Sequence, residues 1–372
     1  MTNVYINSFG SFLPGEAIAN KEMEDYLGYV GGEKSRNRAL VLRQNRIKTR
    51  HYALNKKGQA QYKNCEMAAN AIRHAVEQSE VMLNDIGYLA TSTTLSDVFL
   101  PGLASHTHAA LGVPPLEIAS FQSVCASSLM ALKSAYLQLK AGEHDCAAVC
   151  GSEFASRYFR PGFYEQSDDF LTHGKVSLDA DFLRFTLSDG AGAAILERKP
   201  NESQHSFKIH WVDLRSFADR FETCMIGGGT LGLDDAWGDY GSPQQATTAG
   251  ALRLTQDFDT LKEMIPVWVS HYLDLIDEGK IVVDEIDYLC SHYSAHSLRE
   301  EAIRVLETTG AMIPEEKWYS NLYSRGNTGT ASIFIMLEEF SRTVDLKKGQ
   351  KILCHVPESG RCLNGLMLLE VV

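Results

Sequence analysis

The stretch LEIASFQSVCASSLMALKSAYLQLKAG, residues 116–142, places a strand-like run directly before a helical pattern. Apolar residues recur at helical spacing from Leu129 to Leu139, and Gly142 is the type of residue that commonly follows the end of a helix. The sequence therefore predicts that Cys125 lies in a turn between a strand and a helix.

Cys125 in this turn is a candidate nucleophile. Unpaired backbone N–H groups and the positive end of the helix dipole stabilise a thiolate, and cysteines in such positions reach pKa values of roughly 3.5–7.5. The small residues Ala126, Ser127 and Ser128 leave room for a substrate carbonyl, and the Cys125 backbone N–H would then stabilise its developing oxyanion. Because a single cysteine is more often a buried apolar residue, the prediction depends on partners elsewhere in the chain.

The two halves of the sequence resemble copies of one unit. IGYLATST at 86–93 resembles IDYLCSHY at 286–293, and the segments that follow these two runs occur in the same order. Strand-like runs alternate with amphipathic helical stretches, which predicts an α/β fold. We expect an N-terminal half of residues 1–200 and a C-terminal half of residues 201–372, with two similar sheets packed around shared helices.

Polar residues of the second half are candidate partners of Cys125. His292 follows the strand IDYLCS and is expected at the edge of the sheet where α/β proteins place reactive groups. A neutral imidazole there can donate a hydrogen bond to a thioester carbonyl or move a proton. His296, four residues later, is the competing candidate. Asn327, in SRGNTGTASIF, occupies the position that Cys125 fills in the first half, and its amide can donate to an oxyanion. A surface histidine and a helix-capping asparagine are the alternative interpretations.

Composition excludes several classes of protein. The 372 residues include 44% hydrophobic ones, enough for one large core or two smaller ones, and the net charge of −12 argues against nucleic-acid binding. Because the sequence has neither a long apolar run nor a signal-peptide pattern, we expect a cytoplasmic enzyme without membrane insertion. The eight cysteines lack CxxC spacing, so we expect no disulfide framework, no metal site and no permanently bound cofactor.

Two segments have an unusual composition. From Lys34 to Lys57 there are nine basic residues and no acidic one, which indicates either a site for a phosphate or acidic partner, or a solvated basic loop. Between Ser152 and Asp189 the first half carries an aromatic-rich insertion, and long insertions in compact domains are often functional. Its side chains either line an acyl tunnel or pack on their own loop.

Taken together, the motifs resemble those of the beta-ketoacyl-ACP synthase III branch of the thiolase superfamily, nearly from end to end. Cys125 lies in the segment similar to the nucleophile motif, His292 in the histidine motif and Asn327 in the asparagine motif. The matching segments, in chain order, are GSFLPGEAIANKEME at 10–24, RIKTRHYA at 46–53, SVCASSLMAL at 123–132, LSDGAGAAIL at 187–196, YLCSHYSAH at 288–296 and RGNTGTAS at 325–332.

The resemblance implies a thiolase-like duplicated fold, in which two mixed sheets and three helix layers alternate as α-β-α-β-α. It also implies that Cys125 is acylated, that His292 and Asn327 stabilise the carbonyl of a second thioester, and that the backbone N–H groups of Cys125 and Gly360 form an oxyanion hole. The substrates would be phosphopantetheine thioesters of an acyl carrier protein or of CoA.

Further expectations from the resemblance concern binding surfaces. Arg46, Arg50, Phe99 and Arg299 are expected to bind the substrate or its carrier, and the basic segment from Lys34 to Lys57 is the expected docking surface for the carrier. Phe99, in SDVFLPG, resembles a loop residue that reaches the pocket of a partner subunit, so a homodimer is implied.

The histidine motif departs from the family pattern, since Tyr293, Ser294 and Ala295 replace the usual Gln-Ala-Asn and two extra residues precede Leu298. We therefore expect a specialised relative, similar to the ketosynthases that couple two fatty-acid-derived thioesters into dialkylresorcinol or cyclohexanedione lipids. The alternatives are an initiating beta-ketoacyl-ACP synthase III, an O-acyltransferase on the same fold and a catalytically silent subunit. An O-acyltransferase would be favoured by Asp in place of Asn327, because an alcohol needs a base.

Overall fold

The strands at the centre of the fold form from runs of small and β-branched residues, which suit a sheet covered on both faces. The computed structural model describes residues 2–230 and 235–372. YLATST and CAAVCGSE, for example, are buried over their whole length. The strands are β1 (Tyr5–Phe12), β2 (Ile18–Ala19), β3 (Thr49–Arg50), β4 (Tyr88–Thr93), β5 (Glu117–Gln122), β6 (Cys146–Glu153), β7 (Gly190–Glu197), β8 (Phe207–Ser216), β9 (Met225–Ile226), β10 (Thr255–Gln256), β11 (Tyr288–Ser291), β12 (Trp318–Tyr319), β13 (Lys351–Glu358) and β14 (Leu363–Val371).

The α-helices occupy the amphipathic stretches between these strands. Several end at a glycine in the left-handed region, as Gly142 does at φ 86° after the helix that follows Cys125. The helices are α1 (Met23–Leu27), α2 (Arg38–Asn45), α3 (Asn64–Glu77), α4 (Leu103–Leu111), α5 (Ser127–Ala141), α6 (Asp168–His173), α7 (Leu178–Thr186), α8 (Pro243–Ala249), α9 (Phe258–Asp277), α10 (His296–Glu307), α11 (Leu322–Arg325) and α12 (Ser332–Thr343).

Ten strands form one mixed sheet in the order β12-β11-β13-β14-β8-β1-β7-β6-β4-β5. Each half contributes five strands to this sheet, and both halves have the same order outward from the junction between β8 and β1. Counted along the chain, that order is the first, fifth, fourth, second and third of the five strands. The junction is short, since only Tyr5 and Ile6 pair across it, with Lys208 and Phe207. The division at residue 200 remains a prediction, because hydrogen bonding connects the two sets of strands.

The helices lie in three layers around these strands, which confirms the predicted mixed α/β class. The two expected sheets are joined into one, because β8 pairs with β1. One core cluster lies between α3 and the first set of strands, and another lies between α9 and the second set. Between them, Leu132 of α5 and Phe334 of α12 belong to a central cluster that contacts both sets. Among the described residues, no helix has the length and apolar character needed to cross a bilayer.

Glycine allows the central layer to approach the strands closely. A Cβ added at Gly151 of β6 would lie 2.6 Å from the carbonyl oxygen of Thr330, and one at Gly192 of β7 would lie 2.7 Å from Cβ of Phe334. These distances are too short for a side chain, so only glycine fits at both positions. The segment that follows Asn327 therefore packs directly on the first set of strands.

The aromatic-rich insertion contributes mainly to the core. Its side chains at Phe159, Tyr164, Phe182 and Phe185 are fully buried in the cluster between α3 and the first set of strands. The prediction that they line an acyl tunnel is therefore wrong for these four residues, because their surfaces are covered by the protein itself.

Candidate active site

Cys125 lies in the turn between β5, which ends at Gln122, and α5, which begins at Ser127. Its side chain is buried in the central cluster. Strands β4, β5 and β6 are parallel, so their carboxyl ends meet at the edge of the sheet where this turn lies.

Burial, Glu358 and Glu153 together raise the pKa of the Cys125 thiol well above its usual range. Desolvation disfavours the thiolate, and the two carboxylates repel it. Glu358 also occupies the start of α5, since its Oε2 accepts a hydrogen bond from the backbone N–H of Ala126 at 3.0 Å. The structure does not show the expected stabilisation of a thiolate, because the Glu358 carboxylate takes the backbone N–H of Ala126 at the start of α5.

The two carboxylates were not predicted as site residues. Glu153 ends β6, and Glu358 ends β13. Glu358 accepts a hydrogen bond from the Ser123 hydroxyl at 2.5 Å, so it holds both ends of the turn that carries Cys125. The available signal was their position, since each is an acidic residue at the carboxyl end of a buried strand.

Glu153 is a buried acid that connects three segments of the site. It accepts hydrogen bonds from the backbone N–H and hydroxyl of Thr94, at 3.0 and 2.6 Å, and from the backbone N–H of Thr330 at 3.3 Å. Burial raises its pKa to about 7 despite these donors. The carboxyl group can therefore exchange a proton near neutral pH.

Asn327 is buried in the same loop as Thr330, whose backbone N–H donates to this carboxylate. Its side-chain Oδ1 accepts the backbone N–H of Gly329 at 2.9 Å, and its carbonyl accepts the N–H of Ser188 at 2.8 Å. Because the amide oxygen is already bonded to Gly329, the side-chain NH₂ group remains available as a donor. The Thr330 hydroxyl lies 2.8 Å from that of Ser127, so the Asn327 loop contacts the start of α5.

His292 follows β11 and is buried, with its backbone N–H donating to the carbonyl of His355 at 2.9 Å. Its ring Nε2 has no hydrogen-bond partner within the described chain. Burial, with a smaller contribution from His355, lowers the pKa of His292 to about 4. The imidazole is therefore neutral at pH 7 and can donate only one N–H.

His296, the competing candidate, has a different environment. It begins α10, and its ring nitrogens lie 2.6 Å from the Tyr323 hydroxyl and 3.1 Å from Glu300. Both nitrogens are therefore engaged in contacts within the protein. The geometry favours His292 as the histidine with a free position for a ligand.

A small cavity adjoins the turn of Cys125 and the loop of Asn327, with about 360 Å³ of space that is partly open to solvent. Glu153 lines it, together with Val124 beside Cys125 and Gly329 beyond Asn327. The remaining lining residues are Thr94, Leu95, Phe154, Ala155, Leu187, Ser188, Met225 and Leu254. The cavity therefore offers apolar surface beside the turn that carries Cys125, next to Val124.

The predicted binding residues are not gathered in one place. Arg50 is fully buried and donates to the Phe185 carbonyl and to the Asn20 side chain, so the prediction that it binds a carrier is wrong. Arg46 is half-exposed and pairs with Glu300 at 3.2 Å, which leaves it at the surface.

Three further predicted residues lie in distinct environments. Arg299 pairs with Glu315 at 2.8 Å and lies over the Trp318 ring, so its charge is already engaged within the protein. Phe99 is 85% exposed and stacks on Trp237. Gly360 lies beside the Cys125 turn, since a Cβ added there would approach Cγ2 of Val124 to 3.2 Å.

Comparison with known proteins agrees with this arrangement. The profile of the beta-ketoacyl synthase N-terminal domain matches residues 68–202, and that of the 3-oxoacyl-[acyl-carrier-protein] synthase III C terminal matches residues 276–365. Cys125 falls in the first range, and His292 and Asn327 fall in the second. The chain belongs to the thiolase superfamily, in its beta-ketoacyl-ACP synthase III-like branch. It is a condensing enzyme that transfers acyl groups.

Relatives of this condensing enzyme match over almost its entire length. The beta-ketoacyl-[acyl-carrier-protein] synthase III of Clostridium novyi is 24% identical over 95% of this chain and 94% of the relative. That of Clostridium acetobutylicum is 22% identical over 100% of this chain and 99% of the relative. The predicted family and enzyme class are thereby confirmed.

Solved structures confirm the fold of the condensing enzyme. AbyA1, described as a tetronic acid condensing enzyme, superimposes with a TM-score of 0.78 at 20% identity, covering 99% of both chains. The synthase III of Aquifex aeolicus gives 0.72 at 18% identity, also covering 99% of both chains. A Xanthomonas campestris OleA variant with bound lauric acid and lauroyl-CoA gives 0.73 at 20% identity, covering 100% of this chain and 99% of OleA.

Proposed function

We propose that Cys125 accepts an acyl group from an acyl carrier protein or CoA thioester, and that the enzyme joins it to a second acyl thioester by a Claisen-type reaction. The observation that carries the proposal is the convergence of three segments. The Cys125 turn contacts the Asn327 loop through Ser127, and β13, which pairs with the strand before His292, ends at the carboxylate that holds the turn.

In the first half-reaction, the sulfur of Cys125 attacks the thioester carbonyl and the carrier thiol leaves. The thiol proton of the cysteine ends on the departing carrier sulfur, so charge and atoms balance. Because Cys125 is a neutral thiol in its buried site, its proton must move as the new bond forms. The backbone N–H groups of Cys125 and Gly360 would stabilise the tetrahedral oxyanion.

In the second half-reaction, the α-carbon of the second unit loses either a proton or, where it carries an α-carboxylate, CO₂. The resulting carbanion attacks the acyl-enzyme carbonyl and displaces the cysteine sulfur, which takes up a proton to regenerate the thiol. The neutral His292 ring and the Asn327 amide would donate hydrogen bonds to the thioester oxygen of that unit, where negative charge develops. Asn327 offers no base for an alcohol, which argues against the O-acyltransferase alternative.

For the biological role, we propose fatty-acid-derived secondary metabolism of the dialkylresorcinol or cyclohexanedione kind. The altered residues after His292 support this, as does the similarity in fold to enzymes described as handling tetronic acid or lauroyl-CoA. The curated relatives are named synthase III, and they support an initiating role in fatty-acid synthesis as the second candidate. Analysis of the condensation product separates the two.

The partners we propose are an acyl carrier protein or CoA and a second copy of this chain. Arg46 is the predicted carrier-binding arginine that remains at the surface. Val98, Phe99 and Leu100 form an exposed apolar tip, with Phe99 and Leu100 each 85% exposed, and covering it in a homodimer would remove apolar area from water.

The division of roles is tested by measuring the two half-reactions separately in variants. Cys125→Ala should abolish the acyl mass increment after incubation with acyl thioesters. His292→Ala should form the acyl-enzyme but no carbon–carbon bond, whereas the matched variant His296→Ala should keep both steps. Equal loss of both steps in folded His292→Ala would contradict the assignment.

A further inference from the structure

An elongated, mostly apolar cavity lies away from the Cys125 turn, on the outer face of the second set of strands. It contains about 870 Å³ of space, part of it open to solvent, between the strands and helices α9 and α10. Its walls are mostly apolar: Trp268 and Tyr272 come from α9, Leu298 and Ala302 from α10, and Leu353 from β13. None of the proposed acyl contacts at Cys125 uses this space.

One end of the cavity contains the proposed catalytic histidine. His292 lines it, is almost fully buried, and has a ring Nε2 without a hydrogen-bond partner. The second histidine in the wall, His355, is bonded through both nitrogens, to Ser291 at 3.1 Å and Asn364 at 2.8 Å. Buried polar atoms in proteins are nearly always paired, so the open position on His292 points to an atom of a ligand.

The end of β13 lies between this cavity and the turn that carries Cys125. Alternate side chains of a strand point to opposite faces, and His355 and Pro357 face the cavity while Glu358 holds the turn of Cys125. Ser359 lines the cavity, and the next residue, Gly360, lies beside Val124. The cavity and the acyl-accepting sulfur are therefore on opposite sides of the same strand end.

The lining identifies the class of ligand. Among the described residues that form the wall, none carries a positive charge at pH 7, because the pKa of His292 and of His355 is lowered to about 4. A carboxylate in this cavity would be buried without a partner, which is costly. On α9 the lining runs from Leu261 to Tyr272, about 16 Å along the helix axis, comparable with the length of a medium-chain alkyl group.

We infer that this cavity binds the alkyl chain of the second acyl thioester and places its carbonyl at His292. The inference rests on the proposed function and extends it, because the second unit becomes a medium-chain or longer acyl group rather than a short dicarboxylic one. The small cavity beside Cys125 then holds the first acyl group, so the two chains occupy separate sites.

The kinetic test uses enzyme already acylated on Cys125 and adds second thioesters of increasing chain length. Each methylene that enters the cavity should raise the condensation rate constant kcat/KM about fourfold until the cavity is filled. Ala302→Phe should shorten the chain length at which kcat/KM stops rising, and Leu306→Ala should lengthen it. Ala141→Phe, at the exposed end of α5, is the matched control and should leave the chain-length profile unchanged.

A binding test does not depend on turnover. Trp268 and Trp318 line the cavity, whereas the other two tryptophans, Trp211 and Trp237, do not. Titration with uncharged saturated methyl esters of medium chain length should change the tryptophan fluorescence, and the change should be lost in Ala302→Phe but kept in Trp211→Phe.

Three results would overturn the inference. The first is condensation without any dependence on the length of the second chain, which leaves the proposed function intact. The second is an effect of Ala302→Phe on the length preference of the acylation step, and the third is an unchanged fluorescence response in that variant. Absence of condensation with every thioester pair would instead refute the proposed function, and the fluorescence titration would still decide whether the cavity binds an alkyl chain.

Discussion

Replacing Glu358 by Gln tests whether carboxylates control the reactivity of Cys125. Gln has the same shape, and its oxygen can accept the N–H of Ala126 while its NH₂ donates to the Ser123 hydroxyl, which also accepts hydrogen bonds. The turn therefore keeps its hydrogen bonds and loses one negative charge. Because that charge raises the pKa of the Cys125 thiol, the variant should have the lower thiol pKa.

The magnitude follows from the geometry of the turn. Glu358 Oε2 is 3.0 Å from the backbone nitrogen of Ala126, the residue after Cys125. For a carboxylate about 6 Å from the sulfur and an effective dielectric constant of about 20, the repulsion between carboxylate and thiolate is about 3 kcal/mol. Burial raises the pKa of Glu358 as well, which favours its uncharged form and reduces the effect. We expect about tenfold faster alkylation at pH 8, with about a hundredfold as the upper limit.

The assay is the rate of carbamidomethylation of Cys125 by iodoacetamide, measured by peptide mass spectrometry across a pH series. Mapping is required because the chain has eight free cysteines. Glu153→Gln should act in the same direction with a smaller effect, since Glu153 makes the smaller contribution to the raised pKa. Glu197→Gln, at the end of β7, is the control. An unchanged or slower rate in Glu358→Gln, with an unshifted pH midpoint, would refute the electrostatic explanation.

Two further predictions concern stability, and both are measured by denaturant unfolding. Gly151→Ala should destabilise the protein by about 1–3 kcal/mol, because the new Cβ would lie 2.6 Å from the Thr330 carbonyl oxygen. Gly162→Ala is the control and should be nearly neutral, because its Cβ would meet no atom within 4 Å. The pKa of Glu153 is raised to about 7, so its ionisation opposes folding as the pH rises from about 4.5 to 7. Between pH 5 and pH 8, the free energy of unfolding of Glu153→Gln should therefore rise by about 2.5 kcal/mol relative to that of the wild type. An equal difference between the two proteins at both pH values would contradict the buried-acid assignment.

The sequence predicted the parts of the fold and site that depend on local pattern and on order along the chain. The strand-to-helix turn at Cys125 follows from adjacent periodicities, and the α/β class follows from their alternation. His292 and Asn327 were chosen because each follows a strand or begins a helix in the second half, and the structure brings the Asn327 loop against the start of α5. Their catalytic roles remain predictions.

The remaining features depend on packing between segments distant in sequence. Arg50 looks like a surface arginine in a basic run, yet it is buried because the Phe185 carbonyl and Asn20 provide its partners. Likewise, the state of Cys125 depends on Glu153, which ends another strand of the first set, and on Glu358, which approaches it only when the two sets of strands fold together. No local pattern in the sequence indicates such contacts.

The most direct test of the account follows one label through both half-reactions. The enzyme is acylated with an isotope-labelled acyl thioester, the labelled peptide is mapped, and an unlabelled second thioester is then added. If Cys125 carries the acyl group, the label lies on the peptide containing Cys125 and leaves it in step with the appearance of labelled carbon–carbon product. Label on another residue, or label released from Cys125 without forming that product, would contradict the central claim.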